Sequence, residues 1–440
     1  MQAWLERYFA LTDKGTTVRI EVLAGFTTFL SMSYIVLVNP AILSQAGLPI
    51  VAVAAATCAS AAFASILMGL LADYPLALAP GMGLNAYFTF TVVKGMGVPW
   101  QVALGCVFIS GVAFLLMTFV GIRQMIVSSI PRPLYSAVAG GIGLFIAFIG
   151  LKEAGIVVGS PATTVTLGDL HSPVALLALF GLALIAVLNI RKVPGAVVIG
   201  ILATTALSWI LGLSSFTPQP YELSDLTETL FKLDIGGALH IGGNGFGILE
   251  IIFVFLFVDL FDNVGTLVGV TKEAGLVKPD GTIPRLNRIL LADSIATICG
   301  SFLGTSTVTS YVESATGVAA GGRSGLTAVV TGLMFLLVLF FAPYAQLIPA
   351  AATAPALILV GSLMMAPLTE IEWKDPMVAL PCFLTLAGIP LTFSIANGLA
   401  FGLTAYALLK LLSGKATKGD VMLFVLAALF VFRFAYLGGS

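Results

Sequence analysis

The 440-residue sequence predicts an all-α polytopic membrane protein with about fourteen transmembrane segments in a seven-plus-seven inverted repeat. Charged residues make up 9% of the chain against 59% hydrophobic ones, with a mean hydropathy of +1.07, whereas a soluble domain carries roughly 25% charged residues. Apolar stretches of spanning length, about 20 residues, recur along the whole chain. A central acidic loop leaves seven of them on each side, and an odd number per half inverts the second half relative to the first.

Residues 1–19, MQAWLERYFALTDKGTTVR, are amphipathic and charged. They lack the apolar stretch of a cleavable signal and are read as a cytoplasmic arm near the membrane surface. Spans are expected near 20–41, 50–71, 76–94, 101–121, 134–150, 171–190 and 194–213, then near 247–270, 286–303, 306–320, 325–342, 346–366, 376–393 and 394–412. Residues 1–213 thus form the first repeat, 214–246 an extracytoplasmic loop, 247–412 the second repeat and 413–440 an apolar tail. Within that tail, 421–437 contains Arg433 and leaves the side of the C-terminus open. The 47 glycines and many alanines suit close helix approach in lipid.

Positive residues set the orientation. Arg7, Lys14 and Arg19 precede the first span, and Arg123 and Arg132 follow the fourth. Arg191 and Lys192 follow the sixth, Lys272, Lys278, Arg285 and Arg288 the eighth, and Arg323 the tenth. All fall on one side if the N-terminus is cytoplasmic. Loop 214–246, with Glu222, Asp225, Glu228, Asp234 and a lone Lys232, falls on the other. A net charge of −1 without a basic tail suggests no nucleic-acid partner. Cys58, Cys106, Cys299 and Cys382 lie singly in apolar segments, without disulfide or metal-site spacing, and read as packing residues.

Two segments break the pattern: the third, with PLALAPGMGLNAYFTF, and the tenth, with STVTSYVESATGVAA. Both are short, polar and glycine-bearing, and they occupy matching places in the two halves. The fourth and eleventh spans also correspond, through ALGCVFISGVAFLLM (103–117) and AVVTGLMFLLVLF (328–340). Matched, interrupted spans point to a binding site near the midplane, because irregular backbone at that depth survives only where it is buried or lines a cavity.

Four carboxylates fall inside expected spans: Asp259 and Asp262 in IIFVFLFVDLFDNVGTLVGV, Asp293 in ILLADSIATICGSFLG, and Glu313 in TSYVESATG. An ionisable group at bilayer depth costs at least about 2.5–3.5 kcal/mol on insertion scales and marks a substrate or ion pathway. Asp259 and Asp262, three residues apart, share a helical face. They either line a polar cavity or tie down an interrupted backbone, and the second reading fits Asp262, next to Asn263, better than Asp259. Glu313 stands where a half-helix would begin, with free N–H groups and a positive end facing the same cavity. There it would accept from donors on a ligand. Asn85 holds the matching place in the third segment, and its amide suits a heteroaromatic edge or the interrupted backbone itself. Asp293 reads as a hydrogen bond between helices. Tyr87, Phe88, Phe90 and Tyr311 either stack on a planar ligand or pack, and Thr316 is a further candidate beside Glu313.

His171 and His240 lie at span edges or in loops, so any proton coupling rests on the acids. No lysine or arginine occupies the centre of a span, which disfavours an anionic substrate. The pattern suits a neutral ligand with N–H donors, and H⁺ or Na⁺ as the coupling ion. An enzyme would need a nucleophile–base or metal constellation, and the spans offer no histidine and no HExxH or GxSxG in a suitable context.

The strings GTTVRIEVLAGFTTFLSMSYIVLVNPAIL (15–43), ALAPGMGLNAYF (77–88), FVDLFDNVGTLVGV (257–270) and GTSTVTSYVESATGVAAGGRSGLTAVV (304–330) resemble the AzgA-like purine permeases. These are a branch of the nucleobase–ascorbate transporter superfamily, also called nucleobase:cation symporter-2. The resemblance implies a core domain of approximately 20–121 plus 247–342 and a gate domain of approximately 134–213 plus 346–412. It also implies a short strand followed by a half-helix in segments 3 and 10, no cofactor, and a homodimer formed through gate helices. The implied activity is proton-coupled uptake of adenine, guanine or hypoxanthine across the plasma (inner) membrane, with Na⁺ as the alternative coupling ion. Position by position, the substrate-contacting acids fall on Asp259 and Glu313, the third-segment asparagine on Asn85, and a transport-modulating position on Asp262. The open alternatives are a transporter of the same fold for uracil or xanthine, and a channel or intramembrane enzyme.

Overall fold

The computed structural model describes residues 2–120, 130–214, 223–240, 246–276, 283–417 and 420–437. Arg123, Glu222 and Lys278 lie outside the described residues, as do the side chains of His240, Lys272 and Arg433.

The arm forms helix α1 (Gln2–Phe9). The first span is two helices, α2 (Val18–Met32) and α3 (Ile35–Leu43), separated at Ser33–Tyr34, a break that apolar length alone does not reveal. Helix α4 (Ile50–Leu71) leads to strand β1 (Leu78–Pro80), the short helix α5 (Met82–Ala86) and a π-helical stretch, Tyr87–Gly95. Helices α6 (Trp100–Val120) and α7 (Arg132–Glu153) follow. An antiparallel hairpin, β2 (Val157–Ser160) and β3 (Thr164–Leu167), then protrudes before α8 (Pro173–Ile190) and α9 (Ala196–Ile210). That hairpin adds to the two strands expected in segments 3 and 10. Val157, Val158, Thr164, Val165 and Thr166 supply its β-branched residues. The central loop carries a short helix, α10 (Ile235–His240), in which Gly237 N donates to Asp234 Oδ1 at 2.7 Å.

The second half runs through α11 (Phe246–Glu273), α12 (Leu286–Leu303), strand β4 (Val308–Ser310) and the short helix α13 (Ser314–Ala319). It continues through α14 (Gly325–Val338), α15 (Ala350–Leu363), α16 (Pro376–Leu391), α17 (Ile395–Leu412) and α18 (Val421–Leu437). Among the described residues nine helices are long and apolar enough to cross a membrane, and three shorter apolar helices accompany them.

The helices pack in two groups. In the first, α14 lies on α4 and α2, α12 on α4 and α6, and α11 on α6. In the second, α7 lies on α15 and α16, α16 on α17, and α8 on α9 and α15. Each group contains a glycine-to-glycine crossing. A Cβ on Gly325 would stand 2.0 Å from the carbonyl oxygen of Gly69, and one on Gly361 2.3 Å from that of Gly143. Such backbone proximity is how helices gain dispersion contact where lipid removes the hydrophobic drive.

Charge gathers at one end of the bundle. Asp73 accepts from Lys14 Nζ at 2.5 Å, Arg285 Nη1 at 2.9 Å and Gly325 N at 2.9 Å. Buried Glu21 accepts from the backbone N–H groups of Arg323 (2.9 Å), Ser324 (3.3 Å) and Thr327 (3.2 Å), and from Thr327 Oγ1 (2.6 Å). Two carboxylates thus satisfy the free donors at the start of α14, where the helix dipole favours negative charge.

The tail 421–437 is the helix α18, which packs on α17 and touches α11. The Phe430 ring lies 5.2 Å from that of Phe253 and 6.2 Å from that of Phe257, both on α11. Asp420, just before α18, pairs with Lys410 Nζ at 2.5 Å.

Candidate substrate site

The two interrupted segments meet. Strands β1 and β4 pair antiparallel, with Leu78 opposite Ser310, Ala79 opposite Thr309 and Pro80 opposite Val308. Bonds from Gly81 N to Thr307 O (2.9 Å) and from Tyr311 N to Ala77 O (3.0 Å) extend the ladder at its two ends. Side chains satisfy the outer edges. Ser65 Oγ bonds both Leu78 N (3.0 Å) and Leu78 O (3.1 Å), Thr297 Oγ1 donates to Val308 O (3.0 Å), and Ser314 Oγ accepts from Ala77 N (3.0 Å). The Tyr311 hydroxyl donates to Pro80 O. Extended backbone persists in this apolar setting because nearly all of its polar groups are matched by neighbours.

Glu313 occupies the cap position of α13, but its side chain does not cap the helix. Its Oε1 accepts instead from the Tyr34 hydroxyl, at 2.6 Å. Tyr34 lies in the break between α2 and α3, so that break delivers a donor to the acid. Thr316 Oγ1 lies 2.7 Å from Glu313 O and 3.0 Å from Ser31 Oγ, a second link between the first and tenth segments. Asp262 on α11 lies within electrostatic range of both Asp293 and Glu313. Its Oδ2 would stand 3.6 Å from a Cβ placed on Gly81, so the acid borders the start of the third-segment half-helix. Asp259 and Asp293 are fully buried.

Two amides complete the constellation. Asn85 on α5 is fully buried; its Oδ1 accepts from Ser306 Oγ, and its Nδ2 has no partner among the described residues. Asn263 on α11 is also fully buried; its Oδ1 accepts from Ser310 Oγ at 3.1 Å, and its Nδ2 likewise has no partner among the described residues. A buried donor left unmatched costs about 1–3 kcal/mol.

Exposure falls in order across the site. Thr316 is exposed, Glu313 and Asp262 are half-buried, and Asp259, Asn85 and Asn263 are sealed. Helix α13 runs from Glu313 toward Arg323 and the charged end of the bundle. Tyr87 and Phe88 are fully buried, their rings 5.2 and 6.4 Å from Phe255, while Phe90 carries Lys94 Nζ 5.3 Å from its ring centroid.

The structure therefore sets Asp262 beside the strand crossing, within electrostatic range of Asp293 and of Glu313, with Asn85 bound to Ser306 just ahead of β4. Asp259 shares α11 with Asp262, and that helix packs on β4 and α13. Sequence reasoning did not single out Tyr34, Asn263, Ser306 or Ser310. Asn263 carried a readable signal, being four residues from Asp259 and hence on the same helical face.

A multi-pass helical bundle with two half-segments crossing at a polar centre defines a membrane permease. The Permease family model Xan_ur_permease matches residues 19–401, and the chain belongs to this family. It is 50% identical over 437 residues to MJ0326 of Methanocaldococcus jannaschii, with 99% of each chain covered. The adenine permease AdeP of Escherichia coli is 44% identical, covering 99% of this chain and 97% of its own. The guanine/hypoxanthine permease PbuG of Bacillus subtilis is 44% identical, covering 98% of this chain and 100% of its own. Among solved structures, the transmembrane domain of a cyanobacterial bicarbonate transporter, BicA, shares the fold at a TM-score of 0.63 and 15% identity, over 88% of this chain and 97% of that one.

Proposed function

We propose that this permease imports purine nucleobases (hypoxanthine, guanine or adenine) by proton symport across the plasma membrane, with its N-terminus in the cytoplasm. The observation that carries the reading is the strand crossing with Asp262 beside it, within electrostatic range of Asp293 and of Glu313. The names of the AdeP and PbuG relatives support a purine as the ligand.

A planar base sits between the half-segments, with its N–H edge on Glu313 and Asp259 and with Asn85 opposite. One acid takes up the coupling proton, which relieves repulsion among the crowded carboxylates. Neutralisation also lowers the cost of carrying the loaded site past an apolar gate. The group containing α2, α4, α6, α11, α12 and α14 acts as the moving core, and the group containing α7, α8, α9, α15, α16 and α17 as the gate. Packing mainly within each group supports that division. The fall in exposure from Thr316 to Asp259 supports access from the side of the N-terminal arm in this conformation.

The test is uptake of labelled hypoxanthine and adenine in a host lacking its own purine transport, with and without a protonophore. The expected result is accumulation against a gradient that the protonophore abolishes. Glu313→Gln and Asp259→Asn should each weaken uptake about tenfold or more, the scale of a lost charge-assisted hydrogen bond. Normal proton-coupled uptake by both variants would overturn the mechanism. Accumulation that follows a sodium gradient would reassign the coupling ion.

A further inference from the structure

We propose that Asn263 is a further specificity-determining residue of the substrate site, donating from Nδ2 to an acceptor atom of the base, and that Ser310 is the positioning residue that orients it. The assignment rests on the purine reading above. Asn263 lies four residues after Asp259 on α11, so the two share a face. Its side chain is fully buried, its Oδ1 is engaged by Ser310 Oγ at 3.1 Å, and its Nδ2 meets no partner among the described residues.

Asn85 repeats this arrangement from the other half of the chain: Ser306 Oγ engages its Oδ1, and its Nδ2 is buried without a partner among the described residues. Both serines belong to the stretch that forms β4; Ser306 precedes the strand and Ser310 ends it. One strand and the residues leading into it therefore turn two amides so that their acceptors are used and their donors are left. The chemistry of the site calls for such donors. An ionised carboxylate only accepts hydrogen bonds, so whichever of Glu313 and Asp259 stays charged reads the N–H groups of a base and not its lone pairs. An amide fixed by its oxygen reads the lone pairs: a ring nitrogen or an exocyclic carbonyl.

The experiment is competition against labelled hypoxanthine uptake by unlabelled hypoxanthine, by purine (which lacks the 6-oxo group), and by 3-deaza- and 7-deazahypoxanthine (each lacking one ring acceptor). In the wild-type protein, at least one analogue should compete about three- to tenfold less well than hypoxanthine, the scale of one neutral hydrogen bond. In Asn263→Ala that gap should close for one analogue, while the ranking of the others persists. Ser310→Ala, which keeps the amide but releases its oxygen, should narrow the same gap. The proposal is overturned if Asn263→Ala weakens every competitor by one common factor or leaves all of them unchanged. If Asn263→Ala does not reach the membrane, Ser310→Ala decides, and an unchanged gap overturns the proposal. A wild-type protein that accumulates no purine refutes the purine reading itself, a result distinct from either variant pattern.

Discussion

Glu21 shows how an acid can hold a fold together without touching a ligand. Four donors at the start of α14 converge on its carboxylate. Glu21→Ala should lower stability by about 1–3 kcal/mol, the cost of leaving buried donors unmatched. Thermal unfolding of the purified protein in detergent checks this, and an unshifted midpoint would refute it. At this scale the sequence was partly legible. Asp259, Asp262, Asp293 and Glu313 stood out because a charge among apolar residues is an energetic anomaly that needs no structure to notice. Tyr34 did not, because a tyrosine within an apolar run is an ordinary packing residue until its hydroxyl is seen 2.6 Å from Glu313. Asn263 was overshadowed by the acid beside it.

Among elements, the nine spanning-length apolar helices of the described residues lie where apolar runs place them, since length and hydropathy are what a bilayer selects. The break at Ser33–Tyr34 was not legible because it does not interrupt hydropathy, and the hairpin β2–β3 was not because it falls in a polar, exposed connection between spans, where strand pairing leaves no hydropathy signature. The close crossings show the same limit: composition announced many glycines but not which of them face one another. Gly325→Val would drive a side chain into the carbonyl of Gly69, 2.0 Å from where its Cβ must stand. The helices must then separate, at about 1–3 kcal/mol for overpacking. Gly15, whose Cβ would meet nothing within 4 Å, serves as the comparison, although its φ of +65° strains any replacement. The check is folded yield and midpoint of unfolding: Gly325→Val should lose the more, and a Gly325→Val protein as stable as the parent would remove the crossing from the account.

For the molecule as a whole, the C-terminal helix is fastened to the rest partly by the Lys410–Asp420 pair. The Lys410 hydrogen bond, then those from Thr417, hold the Asp420 carboxyl at about 2, below its usual 3.8. A lowered carboxyl stabilises the fold above its unfolded value, so the contribution is complete above about pH 3.8 and is lost as pH falls toward 2. Asp420→Asn should therefore flatten the dependence of stability on pH in that window and leave the slope above it unchanged. Unfolding midpoints measured across the window decide it, and parallel curves for variant and parent would contradict the fastening.

The ladder between the third and tenth segments has a consequence for how the chain comes into being. It joins backbone separated by as many as 234 positions, as the bond from Tyr311 N to Ala77 O shows. While the first half enters the bilayer, Ser65 already serves Leu78, but other backbone groups of the strand, the Pro80 carbonyl among them, wait for partners not yet synthesised, a costly state in hydrocarbon. Loop-closure entropy grows only slowly with length, so the delay is one of synthesis rather than of search. The strand crossing is accordingly among the last parts of the protein to assemble. A lesion in the tenth segment then presents to the cell first as an unfinished membrane protein awaiting degradation, and only second as a transporter that has lost its cargo.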